Sequence, residues 1–173
     1  MSQHLGIKEI TLASLPVADE TTLLFIQDRE KWVAWFHEPQ LEMGVPENIR
    51  RMFEIARGTM LYGWYYYPLL AVGQDQCFRV LEAAARTAYA QLSGLTVEVA
   101  GNLPYHAVLK RLVIAKAISS SDSDRWEIAR EIRNTGAHAT GASIFPPGPV
   151  VSDMRVVVDQ INMLFKDNNT SAN

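Results

Sequence analysis

The chain has 173 residues and a formal net charge of -3, with 48% hydrophobic and 20% charged residues. These values are ordinary for one folded globular domain, and they exclude a disordered or fibrous protein. A protein that coats nucleic acid without sequence preference is normally basic, so any contact with RNA must come from a local basic patch.

The cysteine content and the apolar stretches indicate a reducing, cytoplasmic setting. Cys77 is the only cysteine, so no intramolecular disulfide can form, and the cysteine and histidine positions do not resemble a zinc-ligand set. The N-terminal residues lack the positive region and apolar run of a signal peptide. The longest apolar stretch, residues 61–72, contains Gly63 and Pro68 and is too short to span a bilayer. We therefore expect no metal, no cofactor and no membrane contact.

The first 45 residues are expected to form an N-terminal arm, ahead of a helical domain at residues 46–166 and a disordered tail at residues 167–173. Residues 1–20 show no clear period. The polar stretch at residues 42–48, with Gly44 and Pro46, is typical of a linker. Apolar residues in the second half of the arm indicate a segment that packs on another surface: Leu23, Leu24, Ile26, Trp32, Val33, Trp35 and Phe36.

The first strong helix is predicted to begin near Pro46, because proline is favoured at the start of a helix. Apolar residues then recur at spacings of three and four from Ile49 to Tyr67, and Pro68 must end or kink the helix. The aromatic content of residues 62–70 favours a strand as the alternative. Helix is preferred because the period continues from Ile49 without a break.

Three further helices are predicted before the proline-rich segment. The first covers residues 74–92 and ends at Gly94; the second begins after Asn102 with Pro104 in its first turn. Residues 119–124 form a turn, and the third helix follows and stops at Gly136. Their predicted buried stripes are Phe78, Leu81, Ala85, Ala88 and Leu92; Val108, Leu109, Leu112 and Val113; and Trp126, Ile128, Ala129 and Ile132.

The prolines at positions 146, 147 and 149 are expected to form a stiff connector to the last helix. That helix has an apolar stripe of Val151, Met154, Val157, Ile161, Leu164 and Phe165. No alternation of strands and helices is visible along the chain. The predicted fold class is therefore all-α, a bundle of four to five helices with an N-terminal extension.

One group of residues has the character of a catalytic site: Arg133 and Asn134, followed by His138. Residues five apart on an unbroken helix point in different directions, but Gly136 can adopt the left-handed conformation and turn the chain back. The arginine offers fixed charged donors to a phosphate, and the histidine can move a proton near neutral pH. The two side chains together are suited to phosphate chemistry.

This run resembles the motif of the HEPN superfamily, in which a polar residue follows an arginine and a histidine comes after four to six intervening positions. The asparagine after Arg133, the alanine before His138 and the place at the end of the penultimate long helix all strengthen the resemblance. Residues 78–86 also resemble the equivalent helix of bacterial members. The resemblance covers roughly residues 46–166 and leaves the arm unexplained.

The resemblance implies a homodimer that brings two motifs to one shared cleft, which would bind RNA or a nucleotide phosphate. Active members are metal-independent endoribonucleases, so His138 would be the general acid or base, Arg133 the phosphate clamp and Asn134 the residue that orients them. RNA cleavage would then leave a 2′,3′-cyclic phosphate. Other members are non-catalytic modules that bind nucleotides or dock a partner protein, such as a nucleotidyltransferase or another defence-system component. Membership alone does not establish activity.

Glu82 and Arg86, on the second predicted helix, are candidate substrate-binding residues. Glu82 lies on or beside the buried stripe, where an unpaired carboxylate is costly. Its partner is either Arg86, one helical turn on, or Arg133 from a facing helix. The ordinary ion pair with Arg86 is the preferred interpretation.

Two further features are suited to RNA contact and also have simpler explanations. The aromatic run at residues 64–67 can stack bases, but such a run more often fills a core or a dimer interface, and the interface is preferred. Arg50, Arg51 and Arg57 form one local basic patch, although most such clusters are solvated helix faces.

Overall fold

The computed structural model describes residues 8–127 and 146–166, which are helical with connecting turns and contain no strand. This confirms the all-α class. α1 and α2 lie within the predicted N-terminal extension, and the longer helices agree with the predicted bundle. The helices are α1 (Glu20–Phe25), α2 (Arg29–His37), α3 (Glu47–Tyr62), α4 (Leu69–Ser93), α5 (Val97–Gly101), α6 (Tyr105–Ile114) and α7 (Pro147–Leu164), with a further helical segment at residues 123–127.

α4 is the central helix of the described bundle and packs against α3, α5, α6 and α7. α3 and α4 approach closely at Gly73, where a Cβ atom would lie 2.3 Å from Cγ of Met60 and 2.9 Å from the carbonyl oxygen of Ala56. Gly94 ends α4 in the left-handed conformation, with φ 67°, as predicted. Leu92 was predicted to be buried but is 58% exposed, because the last turn of α4 and the residues up to 99 lie at the surface.

The helix predicted to run to Tyr67 ends at Tyr62, and residues 63–67 form turns rather than the alternative strand. The buried carboxylate of Asp19 holds these turns, since its Oδ2 accepts a hydrogen bond from the Tyr67 backbone N–H at 2.9 Å. Thr22 Oγ1 donates to the first carbonyl of the turn, also at 2.9 Å. These contacts satisfy backbone groups that a longer helix would pair internally. The helix therefore ends at Tyr62, although the spacing of apolar residues continues to Tyr67.

Residues of the predicted arm enter the same hydrophobic core as the bundle. Trp32 and Phe36 of α2 are fully buried, and the Trp32 Nε1 donates to the Leu61 carbonyl at 3.0 Å. In contrast, three other residues of the predicted packing set are exposed: Leu23, Leu24 and Val33. The division between residues 45 and 46 stays a prediction, and the shared core shows that α2 contributes directly to the packing of α3.

The aromatic run at residues 64–67 contributes to the core of its own chain. Trp64 and Tyr67 are buried, and their rings contact Trp32, at 6.1 Å between centroids, and Phe25, at 5.6 Å. For these two side chains the preferred assignment to a dimer interface is wrong. The hydrogen bonds of the turn direct them inward, an effect that a sequence pattern cannot show.

The prolines predicted as a connector instead begin α7. Pro146 is the N-cap and Pro147 is the first residue of the helix. Proline fits there because the N–H groups of a first helical turn have no partner within the helix. The predicted stripe of α7 is buried, except that Leu164 is only partly buried. The predicted disordered tail at residues 167–173 lies outside the described residues.

Candidate functional site

The central motif residues, Arg133, Asn134 and His138, lie outside the described residues. The described chain leads toward them through the helical segment 123–127, in which Trp126 is 2% exposed. The Ser119 Oγ accepts a hydrogen bond from the Asp122 backbone N–H at 3.1 Å in the preceding turn. Trp126, seven positions before Arg133 in the sequence, is therefore packed into the core.

Glu82 and Arg86 form the ion pair that the sequence favours. The Arg86 Nε and Nη2 both donate to Glu82 Oε1, at 3.0 and 2.7 Å. The two side chains are only 16% and 21% exposed, so water screens the pair less than it would at the surface. The spacing of four residues on one helix face makes this pairing predictable.

The same guanidinium also binds the connection between α5 and α6. The Arg86 Nη1 donates to the carbonyl oxygens of Ala100, at 2.8 Å, and Leu103, at 2.9 Å. Its Cζ lies 5.7 Å from the centre of the Tyr105 ring. Arg86 therefore satisfies carbonyls at the end of a short helix and joins three elements. A role for Glu82 or Arg86 in binding substrate stays a prediction.

Carboxylates of the same helix neutralise the predicted basic patch on α3. Glu47 pairs with Arg50 and Arg51, with N–O distances of 2.5 and 2.8 Å, and Arg57 pairs with Glu54. The hydrogen bond from Arg51 lowers the pKa of the Glu47 carboxyl below its ordinary value. The three arginines and two glutamates thus form an ion-paired helix face with one excess positive charge, and of the arginines only Arg51 is largely exposed.

A second basic surface, on and after α6, was missed in the sequence. Residues 99–121 contain no aspartate or glutamate, but they include three exposed cations, Lys110, Arg111 and Lys116. None of the three pairs with a carboxylate of the described residues. We call these three residues the α6 basic surface. The signal in the sequence was the long stretch without an acid in a chain whose net charge is -3.

Lys116 of this surface has an unusual backbone. Its φ is 60°, in the left-handed region, and it directly follows the C-cap residue of α6. The Lys116 N–H bonds to the Val113 carbonyl at 3.0 Å, and the Ala117 N–H bonds to the Leu112 carbonyl at 2.9 Å. This pair of hydrogen bonds is the Schellman arrangement, in which glycine is usual. A lysine there costs on the order of 1 kcal/mol.

Cys77, a buried thiol of the described chain, is not an activated nucleophile. Burial raises the pKa of the Cys77 thiol to about 12, and so the thiol is protonated at neutral pH. Burial also raises the pKa of Asp153, whose Oδ2 accepts from Gln74 at 2.7 Å. Gln160 is 5% exposed, and its amide has no hydrogen-bond partner among the described residues.

Neither a cluster of metal-ligating side chains nor a membrane-spanning helix occurs in the described ranges. Among residues 8–127 and 146–166, histidine, cysteine and carboxylate side chains do not gather into a group that could hold a metal ion. In the same ranges no helix combines the length and apolar content needed to cross a membrane.

Comparisons with protein-family models, with curated proteins and with solved structures find no match to the chain. The HEPN resemblance therefore depends on the residues of the motif and of the second predicted helix.

Proposed function

We propose that the chain is a HEPN-type domain that forms a homodimer, binds RNA at a cleft shared by the two copies, and cleaves it without a metal ion. The observation that carries the proposal is the Arg133–Asn134 pair followed by His138 in the sequence. Arginine, an amide and histidine supply the three functions that the reaction needs: a phosphate clamp, an orienting group and a proton carrier.

In the proposed reaction, His138 takes the proton of a ribose 2′-hydroxyl while that oxygen attacks the neighbouring phosphorus. The bond from phosphorus to the 5′-oxygen breaks, and this oxygen takes a proton from a water molecule. The hydroxide left behind receives the proton that His138 removed, so protons balance over the step. Arg133 donates hydrogen bonds to the phosphate oxygens, whose charge must be stabilised in the transition state. The products are a 2′,3′-cyclic phosphate and a 5′-hydroxyl, so all atoms are accounted for.

The described structure supports this proposal in two ways. The described chain is all-helical, which agrees with the fold that the resemblance implies. In addition, Trp126, seven positions before Arg133 in the sequence, is buried in the core of the same bundle.

Cleavage of labelled RNA in excess EDTA tests the proposal. We expect the wild-type protein to cut and the His138→Ala variant to cut at least about 100-fold more slowly, because positioned acid–base groups contribute at least that factor. His37→Ala is the matched control, since His37 is an exposed histidine at the end of α2. Equal cutting by wild type and His138→Ala would contradict the proposal and indicate a contaminating nuclease.

A second candidate is a non-catalytic HEPN scaffold that docks a partner protein, such as a nucleotidyltransferase or another defence-system component. The observation that favours it is a set of exposed apolar side chains on the α3–α4 pair: Ile55 is 63% exposed, Tyr62 65% and Val72 57%. A contiguous patch of exposed apolar side chains is typical of a docking surface. If wild type fails to cut RNA even at high concentration, this candidate replaces the nuclease.

A further inference from the structure

We infer that the α6 basic surface binds the phosphate backbone of single-stranded RNA and is the main electrostatic RNA contact of the described chain. This inference rests on the proposed function. It concerns residues outside the Arg133–His138 motif, so variants of the surface test RNA binding separately from cleavage.

The cations of the α6 basic surface differ from other exposed arginines of the described chain in their ion pairing. Arg51, Arg79 and Arg155 lie on other helices, and each forms an ion pair with a carboxylate. The cations of the α6 basic surface have no such partner among the described residues. Unpaired surface cations keep their full attraction for a polyanion, and when they neutralise phosphates they release the counterions condensed on the nucleic acid.

The side chains of Lys110 and Arg111 are oriented so that their charged groups can reach a phosphate. α6 buries Val108, Leu109 and Leu112, so Lys110 lies on the opposite, outward side of the helix. The hydroxyl of Tyr89 accepts a hydrogen bond from the Arg111 Nη1 at 2.6 Å, with the guanidinium 5.4 Å from the ring centre. This contact orients the guanidinium and leaves its Nε and Nη2 donors for phosphate oxygens.

The left-handed backbone of Lys116 also indicates a function for the charge at this position. A lysine in the left-handed conformation is less stable than a glycine at the same helix end, yet a cation stands there. Strained residues of this kind concentrate at functional sites. The strain is explained if the charge at this position contributes to binding.

The surface is better suited to RNA than to a membrane. A helix that lies in a membrane interface inserts a broad apolar face. The apolar face of α6 is buried in the core, and Ile114, at 71%, is the one large apolar side chain that α6 exposes. Three unpaired cations beside one exposed isoleucine match a phosphate backbone, which offers charge and no apolar layer.

The test is fluorescence anisotropy with a labelled 12-nucleotide single strand whose 2′-hydroxyls are methylated, so that wild-type protein cannot cut it. The test variant is Lys110→Gln/Arg111→Gln/Lys116→Gln. The matched control, Arg51→Gln/Arg79→Gln/Arg155→Gln, removes the same charge from ion-paired positions. We expect the test variant to weaken binding at least about tenfold and to lower the logarithmic salt slope by about 2, and the control to stay within about twofold.

A second pair of variants distinguishes the loss of charge from a loss of the folded structure. Lys110→Gln/Lys116→Gln keeps the Arg111–Tyr89 contact and should still weaken binding, whereas Lys110→Arg/Lys116→Arg keeps the charge and should bind like wild type. Circular dichroism and the Tm of each variant verify that the helices persist.

Three other outcomes would contradict the inference, and each has a different meaning for the proposed function. If wild type binds RNA and the test and control triples bind equally well, the α6 inference fails and the proposed function stands. If wild type does not bind RNA, both fail. If the test triple instead loses binding to phosphatidylserine vesicles that wild type binds, the surface contacts a membrane.

Discussion

At the scale of single residues, the Arg86 guanidinium holds three segments of the described chain together. It binds Glu82 on its own helix and two backbone carbonyls in the connection between α5 and α6. Because the side chain is mostly buried, these partners would lose hydrogen bonds without gaining full access to water.

We predict that Arg86→Met lowers the free energy of unfolding by about 2 to 4 kcal/mol. It breaks a partly buried ion pair, takes from the Leu103 carbonyl its side-chain donor, and leaves the Ala100 carbonyl with backbone donors alone. Arg79→Met is the matched control, because Arg79 forms an exposed pair with Asp75 at the same spacing on the same helix. It should change stability by less than about 0.5 kcal/mol. Urea unfolding measures both, and equal effects would contradict the assigned role of Arg86.

The Cys77 thiol predicts a pH dependence of stability. Its pKa is about 12 in the folded chain, against an ordinary value of 9.0, because burial disfavours the thiolate. The unfolded chain therefore releases this proton first, and stability that is complete below pH 9 falls as the pH rises toward 12. Unfolding in urea at pH 8, 9.5 and 11 should show a flatter decline for Cys77→Ala, by up to about 1 kcal/mol per pH unit. Parallel curves for the two proteins would contradict the raised pKa.

The sequence predicted the nearest contacts of individual residues and not the distant ones. Glu82 and Arg86 are four positions apart on one helix, so their pairing follows from helix geometry. The bonds from Arg86 to Ala100 and Leu103 depend on where the chain returns after α4, and no local spacing encodes that position.

At the scale of elements, α3 and α4 pack more closely at Gly73 than the chain packs at any other glycine of the described residues. Gly73 of α4 lies against Met60 and Ala56 of α3, whereas Gly58 of α3 has open space where a Cβ would be. A residue larger than glycine at position 73 must push the two helices apart.

We predict that Gly73→Ala destabilises the fold by about 1 to 3 kcal/mol through overpacking. Gly58→Ala, the matched control, should stabilise it by about 0.5 to 1 kcal/mol, because alanine is the better helix former and no neighbour stands in its way. Thermal unfolding followed by circular dichroism compares the two variants. A stabilising effect of Gly73→Ala would mean that α3 and α4 do not pack closely at this point.

The helix boundaries show where local signals are sufficient. Pro46 and Gly94 set the start of α3 and the end of α4 as expected, since each acts through its own backbone. The end of α3 was misplaced, because the turns at residues 63–67 depend on Asp19, which lies more than forty positions earlier in the chain. The spacing of apolar residues along the chain does not predict such tertiary hydrogen bonds.

At the scale of the whole molecule, charge is distributed unevenly in a way that the net value hides. The chain has a net charge of -3, and the described residues still present the α6 basic surface without neutralising carboxylates. The sequence pointed instead to arginines on α3, which pair with Glu47 and Glu54. Counting cations locates a patch only when the positions of the carboxylates are known as well.

The candidate catalytic site is a prediction from residue types and spacing. Arg133, Asn134 and His138 are found from the sequence, because phosphate binding and proton transfer require few residue types. The cleft that would hold them in a dimer depends on the relative positions of two chains, which a spacing cannot give. The RNA contact that we propose for the α6 basic surface lies outside the motif, which does not predict it.

The measurement that tests the nuclease proposal most directly is the analysis of the ends that wild-type protein leaves on RNA in excess EDTA. We predict 2′,3′-cyclic phosphate and 5′-hydroxyl ends, and no cut where a single 2′-deoxynucleotide replaces the ribonucleotide at the cleavage position. 3′-Hydroxyl ends, or cleavage that continues next to the deoxynucleotide, would contradict attack by the 2′-hydroxyl and with it the proposed role of His138.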